Sequence, residues 1–559
     1  MAMTEYLELK TTDCMHCYKC IRNCPVKAIA FSQNQATIRN EECILCGECF
    51  VACPQNAKSI RNDIAQAKQL LHDNQRVYAS VAPSFVANYP GCSIEDMQLA
   101  LSQLGFFACQ ETALGATVVK QRYDQMVDQQ EQSVILSSCC HSVNMLIQKH
   151  FPDALPFLAP VSSPMQAHCA EIRRNDPEAK TVFIGPCISK KSEAEQYPDT
   201  VDCVLTFEEL SEWLAAERIA LLPGAERSCD GKARLFPIDG GILRSMERNN
   251  TQYTYISIAG VENCMAALRD IIAGHIEHCF IEMSACQNSC IGGPVMEHGR
   301  ASVRSYRMVD RYAGDTDFAV SCPAAADLKK SFPAQPLHHH HFSESALREV
   351  LRKIGKNDIR DELNCSSCGY DTCQDKAEAV LLGKADLTMC LPYLMNKAQS
   401  FSDTIIQNMP NGIVVLNSDL EIQQINAAAC ALFGIEKNSD VMGRNVVCIL
   451  DPDLFFQVLD SRQNVYENKR YLAEYNRFIM QSVIIDPSSD FIISIMRDIT
   501  GNETQRVMKK EMTEKTIAVA DLVIAKQMRT VQEIASLLGE TAAETKIALT
   551  KLKETLRDE

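Results

Sequence analysis

The sequence predicts a multidomain chain of α+β and α/β domains, closing in a helical coiled-coil tail. Three observations predict it. A cysteine run with a fixed spacing occurs twice in the first sixty residues. Apolar strands then alternate with amphipathic helices to about residue 325, with cysteines in the loops. A short cysteine-rich segment follows, and beyond Cys390 the cysteines thin out into a mixed α/β segment and a heptad-spaced helix. At 559 residues the chain is long enough for several domains.

The doubled run is Cys14, Cys17, Cys20 and Cys24-Pro25, then Cys43, Cys46, Cys49 and Cys53-Pro54. This is the spacing of a two-cluster ferredoxin, in which the fourth cysteine of each motif ligates the other cluster. Two 4Fe-4S clusters are therefore expected within residues 1–62, one on Cys14, Cys17, Cys20 and Cys53, the other on Cys43, Cys46, Cys49 and Cys24. Structural zinc needs only four ligands per site and does not account for the doubling.

Residues 75–325 read as an α/β domain. RVYASVAPSF, SVILSSCC, TVFIGPCISKK and HCFIEMSACQ are strands running into loops, with helices such as IEDMQLALSQLG between them. Three loops carry cysteine: SSCCHS with Cys139 and Cys140, GPCISKKSE with Cys187, and IEMSACQNSCIGG with Cys286 and Cys290. Gly292 and Gly293 allow close backbone approach there. These loops, in this order, resemble those of the iron-only (FeFe) hydrogenases, whose patterns are TSCCP, PCxxKxxE and ExMACxxGCxxGG.

The resemblance implies an H-cluster, a 4Fe-4S cubane joined to a diiron subsite carrying CO and CN. It implies Cys140, Cys187, Cys286 and Cys290 as cubane ligands, with Cys290 bridging to the diiron half. It also implies that Cys139 passes protons, that Lys190 anchors one cyanide, that Pro83 and Ser84 contact the other, and that Glu193 pairs near Lys190. The chain departs from the family where methionines are usual, at Gly185 and Ser284, both expected to line the diiron pocket. Aligned without gaps, Tyr123, Met126 and Ala159 stand where the family's proton-relaying side chains would be. Methionine and alanine cannot carry exchangeable protons, so low turnover is expected.

PAAADLKKSFPAQPLHHHH reads as a polar linker, its histidines solvated. In residues 342–397, Cys365, Cys368, Cys373 and Cys390 resemble a small 4Fe-4S domain, with structural zinc as the rival. Residues 401–503 resemble a PAS domain through GIVVLN, INAAA and the closing Asp498-Ile499-Thr500, and Cys430 and Cys448 are expected in its core. No histidine follows His341, which excludes a histidine-ligated haem there and a phosphoaccepting histidine beyond it.

In the tail, residues 504–559, a heptad seam runs through Ile524, Met528, Val531, Ala535, Leu538, Ala542, Thr545, Leu549, Leu552 and Leu556, although Gly539 could turn it into a hairpin. A homodimer through the PAS domain and tail is expected, with output passed to a separate kinase or phosphatase.

The 27 cysteines, together with an opening MAMTEYLELK that lacks an apolar signal run, point to a reducing cytoplasm. The net charge of −16 argues against nucleic acid, and no apolar run is long enough for a membrane span. The function expected is an H2-responsive redox sensor that takes H2 and protons as substrates and exchanges electrons with a partner. The alternatives are a fully catalytic hydrogenase and an iron–sulfur redox-signalling protein without a diiron site.

Overall fold

The protein is described by a computed structural model. It covers residues 6–556 apart from 11–12, 33–34, 225–230, 297–302, 321–323, 326, 338–339, 487–490 and 539–541, with backbone alone at 534–538, 542–545 and 547. Gly539, His338 and His339 lie outside the described residues, as do the side chains of Ala535, Leu538, Ala542 and Thr545. The chain forms two compact units, Met1–Tyr393 and Leu394–Glu559.

The first unit begins with two antiparallel pairs, Leu7–Leu9 with Lys58–Ile60 and Ile29–Ser32 with Gln35–Ile38. Each half of the doubled motif contains a one-turn helix, Lys19–Arg22 or Glu48–Val51. Pro25 and Pro54 stand just beyond them, where proline stops further winding.

The middle domain is built on two parallel sheets. One has the order Ala108–Glu111, Val77–Val81, Lys180–Gly185, Cys203–Thr206, and the other Thr254–Ala259, Cys279–Ser284, Val134–Leu136. Their inner strands are buried along most of their length, as expected for parallel sheets covered by helices. The loops bearing Ser84 and Cys187 leave the C-terminal ends of the first sheet, and those bearing Cys139, Cys140, Cys286 and Cys290 leave the second. Functional side chains from distant parts of the chain thus meet at one edge.

The segment expected to be a loose polar linker is instead a strap. Ser162 N–H donates to Leu328 O (2.8 Å), Lys330 N–H to Pro160 O (3.1 Å) and Gln335 N–H to Gln148 O (2.9 Å). Lys330 is 4 % exposed, which no free linker would allow. Burial of the Lys330 stem and its charge pairing hold the strap down.

Residues 343–392 form a small domain around the helices Glu344–Lys353 and Cys373–Leu381. It docks on the N-terminal cysteine domain. Phe31 N–H donates to Lys384 O (2.7 Å), Lys27 Nζ to Gly369 O (2.9 Å), and Lys384 pairs with Glu42 at 2.5 Å. Gly369 has φ +95° and its Cα faces Ile21, so a side chain there would collide with this interface. The boundary expected near residues 397–401 falls inside one unbroken helix, Leu391–Asn408.

The second unit holds a five-stranded antiparallel sheet, ordered Ile422–Ile425, Gly412–Leu416, Ile492–Asp498, Arg477–Ile485, Val465–Leu472. Buried Asn426 caps the helix Ala427–Phe433 by accepting from Ala429 N–H (2.9 Å), and it also accepts from Ile413 N–H (2.8 Å). Cys430 is buried in the core, but Cys448 is exposed, because the short turn Val446–Cys448 inserts Val446 and leaves the thiol outside.

The tail is two helices, Thr500–Leu538 and Ala542–Thr555. Lys553 Nζ reaches Asp521 Oδ1 at 2.8 Å, so the second helix folds back along the first as a hairpin rather than continuing one seam. No helix of the described residues is long and apolar enough to cross a membrane.

Candidate iron–sulfur and hydrogenase-type centre

Three sets of four cysteines each surround a cavity, and Cys24, Cys43 and Cys49 lie close enough to Cys46 to act on its thiol. Cys14, Cys17, Cys20 and Cys53 line one small cavity, so the fourth cysteine of the second motif sits with the first three of the first motif. Reciprocally, burial pushes the Cys46 thiol well up, and the nearby thiols of Cys24, Cys49 and Cys43 raise it further. Backbone N–H groups approach the sulfurs at equivalent places in the two halves, Ala28 to Cys24 Sγ (3.3 Å) and Ala57 to Cys53 Sγ (3.4 Å). Cys365, Cys368, Cys373 and Cys390 line a cavity of the small domain.

The largest of these sites is a cavity of about 120 Å³ in the middle domain. Cys140, Cys187, Cys286 and Cys290 line it, together with Cys139, Lys190, Pro83, Ser84, Ser284 and Glu282. The loops close on one another tightly, because the Cα of Gly293 faces Pro186 O and a Cβ would come within 2.7 Å of it.

Lys190 donates to Cys139 O (3.2 Å) and pairs with one oxygen of Glu193, while Lys330 Nζ takes the other at 2.6 Å. Burial alone would raise the Glu193 carboxyl, but Lys190 and Lys330 outweigh it and hold it well below the usual range. Lys330 also contacts Gln166 Oε1 (2.7 Å). Sequence reasoning missed it, since nothing in DLKKSF marks which lysine is buried.

Gly185 does not reach the cavity. A side chain there would strike the ring of Phe183, which itself lines the wall and takes that space. Ser284 lies in the wall, donating to Cys286 O (3.4 Å) and accepting from Ser289 Oγ (3.0 Å).

Burial pushes the Cys139 thiol up to about 12, with Tyr123 pulling the other way. The Tyr123 hydroxyl is 3.3 Å from Cys139 Sγ and 3.2 Å from Ser138 Oγ, and it accepts from Ser138 N–H at 2.9 Å. Tyr123, Met126 and Ala159 are all buried in one apolar cluster, and of the three only Tyr123 carries an exchangeable side-chain proton.

The residues fit an iron–sulfur cofactor. Among the described residues, no three His, Cys, Asp or Glu side chains stand close enough to hold one metal ion, whereas four thiols facing a cavity suit a many-atom cluster. Ser84 Oγ is buried without a hydrogen-bond partner, so this wall of the cavity has a donor to spare.

The ferredoxin-type site is adjacent. Leu45 and Cys46 line the same cavity, and Lys149 of the middle domain donates to Asn40 O (3.0 Å) and Cys43 O (2.7 Å). Burial raises buried Tyr370 of the small domain, and the thiols of both Cys368 and Cys24 raise it further, which puts those two cysteine sets side by side.

Residues 75–294 match the iron-only hydrogenase large subunit, C-terminal domain. Over those residues the middle domain is similar to an iron-only hydrogenase domain. Residues 10–62 match a 4Fe-4S dicluster domain, 361–392 a putative Fe-S cluster domain and 400–469 the PAS fold. The chain is 22 % identical to iron hydrogenase 1 of Clostridium pasteurianum over 383 residues, 53 % of this chain and 67 % of that protein. It is 31 % identical over 141 residues to the cytosolic Fe-S cluster assembly factor NAR1 of Eremothecium gossypii, covering 23 % of this chain and 31 % of that one.

Among solved structures, a variant of the FeFe-hydrogenase HydA1 from Chlamydomonas reinhardtii aligns over 50 % of this chain and 100 % of its own, with 15 % identity and TM-score 0.39. The PAS domain of an HTR-like protein from Haloarcula marismortui aligns over 19 % of this chain and 99 % of its own, with 23 % identity and TM-score 0.15.

Proposed function

We propose that this chain is a cytoplasmic, H2-responsive redox sensor with a slowly turning H-cluster in the hydrogenase domain. The observation that carries this reading is the cavity, where Cys140, Cys187, Cys286 and Cys290 share a wall with Lys190 and the unpartnered Ser84 hydroxyl. An H-cluster, when bound, supplies the reversible splitting of H2 into protons and electrons.

The residues supply the setting for it. Cys140, Cys187, Cys286 and Cys290 would hold the cubane, and the Lys190 ammonium and Ser84 hydroxyl would supply donors to the cyanide ligands. Cys139 holds a proton at the cavity, and walls such as Phe183, Met165 and Ile242 exclude water. The buried Tyr123, Met126 and Ala159 support slow proton exchange with solvent.

Cys46 and Leu45 on the cavity wall support electron passage to the ferredoxin-type clusters, and the neighbouring Cys24 and Tyr370 support a branch to the 4Fe-4S cluster of the small domain. The PAS domain and helical hairpin then serve as output, as a homodimer acting on a separate kinase or phosphatase.

Infrared spectroscopy of the anaerobically matured protein tests this. CO and CN bands that shift under H2 are expected, and their absence after full maturation would remove the diiron group. A second reading is a redox-signalling protein with a cubane alone in the cavity, favoured by the four thiols of Cys140, Cys187, Cys286 and Cys290, which suffice for a cubane. The same bands decide between the two. H2 turnover at the level of an ordinary hydrogenase would instead favour a catalytic enzyme.

A further inference from the structure

We infer that His141 is a hydrogen-bond donor to the cluster bound in the cavity and tunes its reduction potential. This rests on the reading that the cavity holds an iron–sulfur cofactor. His141 follows the ligand Cys140 directly and is 1 % exposed. His141 is among the residues lining the cavity, and neither Nδ1 nor Nε2 of its buried ring has a hydrogen-bond partner.

Leaving a buried polar group unpaired costs about 1–3 kcal/mol, and native structures rarely tolerate it without an occupant to satisfy the group. Lys190 and Ser284 of the same lining are already paired, with Glu193 and Cys139 O and with Ser289, whereas His141 shares its unpaired state with Ser84. The orphaned imidazole is thus a donor whose acceptor lies inside the cavity. Cluster sulfurs are such acceptors, and hydrogen bonds to them raise the potential by stabilising the more negative reduced state.

The hydrogenase pattern TSCCP carries proline at this position, which has no side-chain donor. His141 is the first residue of the helix His141–His150, and Cys140 before it is extended, with φ −88° and ψ 107°. Both conditions suit proline, so His141→Pro removes the donor without breaking the helix.

The test uses the full, matured chain, with redox titration of each cluster followed by electron paramagnetic resonance. In His141→Pro the cavity cubane is expected to become about tenfold harder to reduce at fixed potential, a fall of about 59 mV. His141→Gln, which keeps an N–H donor, is expected to stay near the parent, and the other clusters should not move. A cavity cubane that titrates identically in parent and His141→Pro, at equal iron content, would overturn the inference.

Iron content and infrared bands of the parent separate this from the functional reading. A parent lacking CO and CN bands but showing the shift in the cubane keeps the role of His141 and removes the diiron group. A parent with no cluster in the cavity removes both.

Discussion

Lys330 Nζ and Lys190 Nζ grip opposite oxygens of one buried carboxylate, Glu193. A strap residue is thereby joined to the lysine on the cavity wall. Lys330→Met strips one partner from that buried charge, which costs about 3–5 kcal/mol. Hydrogen exchange across Ser189–Gln196 should then quicken by roughly a hundredfold or more, at about tenfold per 1.4 kcal/mol. Unchanged protection would mean that the strap contributes no hold.

Two buried carboxylates should give opposite pH dependences. Glu193 is held below its unfolded value, so its stabilising contribution is full above about pH 4.3 and is lost as pH falls through the lower folded value. Glu282 is pushed up to about 8, chiefly by burial, although it accepts from Leu243 N–H (3.1 Å). Between about pH 4.3 and 8 the folded chain keeps a proton there that the unfolded chain releases, so stability declines as pH rises through that window. Melting at pH 6 and pH 9 should differ less in Glu282→Gln than in the parent, and equal differences would count against a buried, protonated Glu282.

The exchange of fourth cysteines between motifs is directly testable. Cys53→Ser should cost about four irons and the signal of the cluster shared with Cys14, Cys17 and Cys20. The signal of the Cys43 set should persist. Loss of that second signal instead would mean that each motif closes on itself.

Tyr123→Phe removes the acceptor of Ser138 N–H and the hydroxyl beside Cys139 Sγ. An unpaired buried N–H costs about 1–3 kcal/mol, visible as a lower melting temperature. The Tyr123 bond is the leading influence lowering the Cys139 thiol, so alkylation of Cys139, mapped by mass spectrometry, should slow in the variant. Faster labelling would show that the hydroxyl shields the thiol rather than activating it.

The helix Thr500–Leu538 exposes Met508, Met512, Val519 and Val523, spaced by 4, 7 and 4 residues along one stripe. A homodimer is expected to cover it. Met512→Glu combined with Val519→Glu should yield monomers by analytical ultracentrifugation while leaving the PAS sheet folded, and a dimer that persists would place the contact elsewhere.

The cysteine sets were legible in the sequence because ligand spacing is local. Three thiols within seven residues must face one centre, whatever surrounds them. The strands and loops of the middle domain were legible for a similar reason, since apolar runs ending at cysteine mark strand ends. The PAS segment was readable from its strand–turn–strand order.

What lies far apart in the chain was not. The sequence by itself determined which thiols share a motif and that clusters suit them, and it set the expectation that Tyr123, Met126 and Ala159 stand where proton-relaying side chains would be. Only the tertiary structure decided that Phe183 fills the space beside Gly185, that Lys330 turns a polar linker into a strap, and that the small domain sits beside Cys24 rather than next in line. It also decided that His141 is an orphaned donor and that the tail folds back through Lys553 and Asp521. Each of these depends on burial and on contacts across many residues, and burial is a property of the packed chain that spacing along the sequence does not carry.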